Sequence, residues 1–300
     1  MTVSSKSPQD TACVEPRGES VMRNTVSRHQ HVGPPSTLAS LLEGRFLLEA
    51  ALLPAALPLL MEAPHGDEHP VLLLPGFMTG EATLGVLKLF LKNKGYSVHT
   101  WGLGVNIGFR SKHVDALPQI IRYLHHTTGQ KVSLVGWSLG GVFAFYGALS
   151  APECVRSIIT LGSPVSVDSS GNQSPPTMRF LYRLVSHRLG TSAHMMQPRV
   201  KAVREKLRLA LPMSCLYSLT DGVVPPQEAT MDGDPALHEN IQVPGSHVGL
   251  VFNGIVLSII ANRLAEPEND WKPFKPQGML GCVWHHTTDA TPEPTLSHST

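Results

Sequence analysis

Residues 134–141 read LVGWSLGG, and the reading of that stretch decides the fold. An apolar run ends at Gly136, a single hydroxyl stands at Ser138 between Gly136 and Gly140, and a helical pattern, LGGVFAFYGALSA, follows at once. Gly136-Trp137-Ser138-Leu139-Gly140 fits G-x-S-x-G, the spacing at which a sharp strand-to-helix turn pushes a serine oxygen outward while small neighbours let the backbone pass close by. Three fixed letters in five are a modest signal alone. Their position between an apolar strand and an apolar helix gives them weight.

The chain on either side alternates in the same way. HPVLLLP, from His69, is a continuous apolar run closed by Pro75-Gly76, and EATLGVLKLFLKNKG then sets Leu84, Leu87, Phe90 and Leu91 at helical spacing before Gly95. SVHTWGL, KVSLVGW, VRSIITLGSP, MSCLYSLT and NIQV read as the other strands. HVDALPQIIRYLHHTTG, with Pro118 inside it, and LVFNGIVLSIIANRLAE read as further helices. Such alternation predicts an α/β fold, a mostly parallel sheet with helices on both faces. The core is expected over 69–165 and 213–264, interrupted by a helical cap insertion over 166–212. A disordered extension is expected over 1–36, a helical segment and linker over 37–68, and an irregular, proline-containing tail over 265–300. Ser40 and Glu43 have capping-box spacing, so a helix is expected from near Ser40 to just before Pro54. The apolar stretch Phe46 to Met61 is interrupted by Glu49, Pro54 and Pro58 and falls short of the roughly 20 residues of a membrane span.

A serine hydroxyl is a weak nucleophile near neutral pH and needs a histidine base with a carboxylate to orient it. In a doubly wound sheet both belong on loops after later strands. Asp221 directly follows MSCLYSLT, in the turn TDGVVP, and His247 follows NIQV, giving the order Ser, Asp, His with separations of 83 and 26 residues. Asp232 and Asp234 compete with Asp221, and His238 competes with His247; the preferred pair are those that follow strands. His125-His126, His285-His286 and HGDEH over 65–69 supply no complete ligand set, so no metal or other cofactor is expected. GLGVNIG over 102–108 has the spacing G-x-G-x-x-x-G, which does not fit a dinucleotide fingerprint, and reads as a loop near the site mouth.

From about His69 to Leu264, with VLLLPGF, GWSLGG, LTDGVVP and GSHVGL in that order, the chain resembles the α/β-hydrolase superfamily, particularly its lipase and esterase branches. The resemblance implies the α/β-hydrolase fold and a serine hydrolase that cleaves carboxylic esters through an acyl-enzyme, with Ser138 as nucleophile, His247 as base and Asp221 as its orienting acid. It also implies an oxyanion hole of backbone amides, carried onto Leu139 and Phe77. Pro75-Gly76 stands where many relatives have His-Gly, which leaves Met78 as the fallback donor. An acyltransferase using the same triad and a non-catalytic binding protein on a hydrolase scaffold are the alternatives.

In the 300-residue chain, 24 basic residues against 23 acidic ones give a formal charge of +1, no overall preference for nucleic acid. The expected partner is a small-molecule ester with an apolar acyl group. Between Met178 and Leu211, Arg179, Arg183, Arg188, Arg199, Lys201, Arg204, Lys206 and Arg208 stand against one acid, Glu205, a local charge of +7 that reads first as the solvated face of a lid over the site and, as the alternative, would suit peripheral contact of the cap with an anionic membrane surface. Cys13, Cys154, Cys215 and Cys282 are scattered, and the first 36 residues hold no apolar stretch of signal-peptide length, so a reducing, cytoplasmic setting is expected.

Overall fold

The computed structural model describes residues 42–166 and 211–289. The strands are β1 (Pro70–Leu74), β2 (Ser97–Thr100), β3 (Val132–Trp137), β4 (Val155–Leu161), β5 (Met213–Tyr217) and β6 (His238–Gln242); the central ones are the apolar runs between Gly and Pro punctuation, and the two edge strands, β2 and β6, are more polar. They build one sheet in the order β2-β1-β3-β4-β5-β6, with every neighbouring pair parallel. β1, β3 and β5 are buried at every residue, as strands covered on both faces must be.

The helices are α1 (Phe46–Ala51), α2 (Leu57–Glu62), α3 (Gly85–Asn93), α4 (Ser111–Thr128), α5 (Leu139–Ser150), α6 (Pro226–Ala229), α7 (Gly254–Leu264) and α8 (Gly278–Asp289). Because successive strand residues point to opposite faces, each strand feeds two cores. Leu72, Leu74, Leu134 and Ile158 pack with Leu117 and Ile121 of α4 and Phe143 of α5. Val71, Leu73, Val135 and Ile159 pack with Leu87 and Leu91 of α3 and Ile259 and Ile260 of α7. The chain goes from β1 outward to β2 and then returns to place β3 on the other side of β1. That reversal opens a crevice at the carboxyl ends of β1 and β3, where doubly wound sheets bind ligands.

As read from the sequence, Pro118 lies inside a helix, α4, which runs unbroken from Ser111 to Thr128 and ends at Gly129, φ 69°. Burial of Leu117, Ile121 and Leu124 on one face supports it across the missing N–H. Other elements differ from the sequence reading. Ser40 lies outside the described residues. A 3-10 turn at Leu42–Arg45 leads into α1, and helical chain continues past Pro54, because Pro54 and Pro58 each sit in a first turn, where a missing N–H costs no hydrogen bond. Residues 265–300, expected to be an irregular tail, include the helix α8. Leu280, Val283 and Trp284, at helical spacing, pack on the second core, and Trp284 Nε1 donates to the carbonyl of Gln242 at 2.8 Å. Residues 167–210, the body of the expected cap with its basic run, lie outside the described residues, as does the 1–36 extension. No single helix among the described residues is long and apolar enough to cross a membrane.

Candidate active site

The turn from β3 into α5 holds Ser138 at φ 54°, ψ −124°, a left-handed region that a side chain enters only at a steric cost. The flanking glycines make it feasible. A Cβ on Gly136 would lie 2.5 Å from the carbonyl of Gly140, and one on Gly140 would lie 2.6 Å from the carbonyl carbon of Leu74 and 2.8 Å from the oxygen of Pro75. Gly76 passes less closely, with its missing Cβ 3.0 Å from the Trp137 ring and 3.2 Å from Ser138 Cβ. The Ser138 amide donates to Leu161 at the end of β4, at 2.9 Å.

Asp221 and His247 meet beside that same strand end. His247 Nδ1 lies 2.7 Å from Asp221 Oδ2, with the Asp221 side chain fully buried and that of His247 only 5% exposed. The other carboxylate oxygen, Oδ1, accepts the amides of Val223 at 2.8 Å and Val224 at 2.7 Å. These bonds satisfy a charge that would otherwise be costly to bury. A Cβ on Gly162, φ 51°, would approach Asp221 Oδ2 to 2.8 Å and His247 Nδ1 to 3.1 Å, so the residue after Leu161 must be a glycine for the pair to fit. Trp137 packs its ring against His247, centroids 5.6 Å apart, and donates Nε1–H to the His247 carbonyl at 3.0 Å. No hydrogen bond joins Ser138 to His247 among the described residues. Such contacts commonly tighten only with substrate bound.

The competitors sit elsewhere. His238 pairs with Met213 at the amino end of β6, the far end of the sheet, and Asp234 accepts the amide of Ala236 in an exposed loop. Phe77 follows β1, and Leu139 opens α5, where an amide has no partner within the helix. Met78 is excluded as the fallback donor. Its amide donates to the carbonyl of Asn106 at 2.7 Å.

Asn106, in the stretch read only as a loop, organises this corner. Its Nδ2 donates to the Pro75 carbonyl at 2.7 Å, its Oδ1 accepts from Gly108 at 3.1 Å, and its amide donates to Thr79 at 2.8 Å. The only local signal was a polar residue among glycines. Arg45, Glu43 and Glu49 contact the Asp221 and His247 loops, and the only local pattern among them, the Ser40–Glu43 spacing, pointed to a helix start and not to this role. Among the described residues no three His, Cys, Asp or Glu side chains converge as metal ligands would. In HGDEH, the half-exposed Asp67 bonds His69 Nδ1 and Arg156, and the buried His69 Nε2 meets Ser133 Oγ at 2.9 Å, a network at the amino ends of β1 and β3.

No protein-family model matches the sequence, and no curated protein matches it. Solved structures do. Aspergillus fumigatus lipase B is similar with a TM-score of 0.50 at 16% identity, over 74% of this chain and 58% of that one. The mature form of a Bacillus licheniformis lipase is similar with a TM-score of 0.48 at 17% identity, over 68% of this chain and 95% of that one. A Paleococcus ferrophilus monoacylglycerol lipase gives 0.45 at 15% identity, over 67% and 96%. With its parallel six-stranded sheet covered on both faces and its G-x-S-x-G turn after β3, this chain has the fold of the α/β-hydrolase superfamily.

Proposed function

We propose that the chain is a serine hydrolase that cleaves carboxylic esters through an acyl-enzyme. Ser138 Oγ attacks the ester carbonyl while His247 Nε2 takes its proton. The tetrahedral intermediate collapses, His247 returns the proton to the leaving alcohol, and water repeats the sequence to release the acid. Asp221 accepts the Nδ1–H of His247, which selects the tautomer with a free Nε2 and stabilises the imidazolium. The amides of Phe77 and Leu139 stabilise the oxyanion. The observation that carries the reading is the strained turn at Ser138, held by its amide to the end of β4 beside the 2.7 Å His247–Asp221 pair. Strain of this kind persists where the surrounding structure pays for a function. The likeness in fold to a lipase fits ester chemistry.

The test is labelling by a serine-directed fluorophosphonate together with turnover of p-nitrophenyl esters over a series of acyl lengths. Ser138→Ala should abolish labelling and cost about 10⁴–10⁶ in kcat, with His247→Ala similar and the double variant no worse than either single one. Folded wild-type protein that neither labels at Ser138 nor turns over any ester would refute the reading. Transfer of the acyl group to an added alcohol in preference to water would make it an acyltransferase.

A further inference from the structure

The segment just upstream of the hydrolase core grips both loops of the proposed acid and base. Glu43 Oε1 accepts the backbone N–H of Gly222 at 2.7 Å and that of His247 at 2.9 Å, and its Oε2 accepts that of Val248 at 3.1 Å. Glu49 accepts the amide of Ser246 at 2.9 Å and its hydroxyl at 3.1 Å. Arg45 lies between the two carboxylates in sequence and joins Glu49 to the Asp221 loop. Its Nε donates to Glu49 at 3.0 Å, and its Nη2 donates to the carbonyl and hydroxyl of Thr220 at 2.8 and 2.6 Å. Three side chains from one turn and a half of helix thus bridge 220–222 to 246–248.

Glu49 also pairs with Arg45 at i,i+4 along the helix, but the Glu43 bonds reach across the fold: α1 has no side-chain N-cap among the described residues, and the Glu43 oxygens accept distant amides. The loops have other links, since Ser218 and Thr220 hydroxyls donate to the Gly245 carbonyl at 2.6 and 3.1 Å. Those links end two residues short of the base. A single Glu43 oxygen binds the amide next to Asp221 and the amide of His247 itself, and hydrogen bonds to an ionised acceptor are short and strong.

We infer that Glu43, alongside the parallel Arg45–Glu49 bridge, is a positioning residue that holds the Asp221 loop and the His247 loop at catalytic separation, so the proposed site is incomplete without the chain upstream of the core. This inference rests on the hydrolase reading. Glu43 touches no reacting atom and acts only through backbone. Gln at position 43 keeps the volume but loses the charge, and turns an N–H₂ toward amides that are themselves donors.

The experiment compares full-length wild type, Glu43→Gln and Leu60→Ala. Leu60 packs in the second core on the same segment and makes no side-chain hydrogen bond to either loop, so its truncation reports what loosened packing alone does. Glu43→Gln should lower kcat and the fluorophosphonate labelling rate together by about 10–100-fold with KM held within about threefold, the cost of a misplaced catalytic group. Leu60→Ala should keep kcat within about threefold, even with a comparable fall in thermal midpoint. Amide hydrogen exchange at Gly222, His247 and Val248 should be slow in wild type and roughly tenfold faster in Glu43→Gln. Unchanged kcat in Glu43→Gln, or equal loss of kcat in Leu60→Ala at matched stability, overturns the positioning role. If wild type neither labels nor turns over, the hydrolase reading has failed separately, and exchange still decides on the bracket: unprotected amides in wild type would overturn it.

Discussion

Gly140→Ala is expected to disable the protein by separating two backbone elements. Gly140 sits in the first turn of α5, against the end of β1. The Cβ added there would lie 2.6 Å from the carbonyl carbon of Leu74 and 2.8 Å from the oxygen of Pro75, and closest of all to the Leu74 carbonyl oxygen. Carbon contacts are comfortable at about 3.5 Å, so helix and strand must part by about 0.9 Å. Neither side is a flexible side chain that can swing away. Overpacking of this kind costs about 1–3 kcal/mol, which at roughly 2–4 °C per kcal/mol lowers the thermal midpoint by about 2–12 °C. The parting also moves Gly76 and Phe77, on one side, away from Ser138 and Leu139 on the other, and a 1 Å displacement of catalytic groups costs about 10²-fold in rate. Gly85→Ala is the control. Gly85 begins α3 with φ −59°, and a Cβ there meets nothing within 4 Å, so alanine should leave turnover unchanged and stabilise by about 0.4–1 kcal/mol. Calorimetry and ester turnover on the two variants decide the matter. Gly140→Ala protein with wild-type midpoint and turnover within threefold would show that the elbow does not need this close approach.

Two other perturbations test the support of the site and of the sheet. Asn106 is fully buried, so Asn106→Ala leaves the Pro75 carbonyl and the Gly108 amide without its side chain, at roughly 1–3 kcal/mol for each. A urea midpoint shifted by less than the equivalent of about 0.5 kcal/mol would mean that water replaces both bonds. At the other end of the sheet, burial holds the pKa of His69 below its ordinary 6.5, against the opposing pull of Asp67. Burial resists ionisation of Asp67, but its bonds to His69 and Arg156 outweigh it and bring its pKa down to about 2 from 3.8. In both cases the unfolded chain binds more protons, so stability should fall as pH drops. The loss begins below about 6.5 for His69 and continues from 3.8 through about 2 for Asp67. His69→Gln should flatten the part between pH 6.5 and 4.5 in a series of urea midpoints, and an unchanged slope would place the acid sensitivity elsewhere.

Features that depend on neighbours in sequence were readable before any coordinates. The central strands β1, β3 and β5 announce themselves as short apolar runs, because a parallel sheet covered on both faces has no polar side to interrupt the run. The elbow is legible for a similar reason. The atoms that forbid a Cβ at Gly136 belong to Gly140 and Gly141, four and five residues away, so the constraint writes a local pattern. Asp221 and His247 could be singled out because position after a strand is itself a sequence property. The tail was misread through composition: its prolines hid the spacing of Leu280, Val283 and Trp284, which forms α8 only because α2, α7 and β6 offer an apolar surface to receive it.

Glu43 is the harder case, because the local pattern pointed elsewhere. Its partners lie 179, 204 and 205 residues downstream, and the three groups it binds are backbone amides, which are the same whatever residue carries them. No side-chain identity at Gly222, His247 or Val248 advertises a need for an acid at position 43. The Ser40–Glu43 spacing meanwhile satisfies a capping rule, so short-range reading gives the carboxylate a local task and no hint of the distant one. A side chain that recognises backbone across the fold leaves a trace in the sequence only on its own side of the contact. The supports of a site are therefore less legible than its reacting groups, and here they lie in a segment that composition alone would treat as a leader to the core.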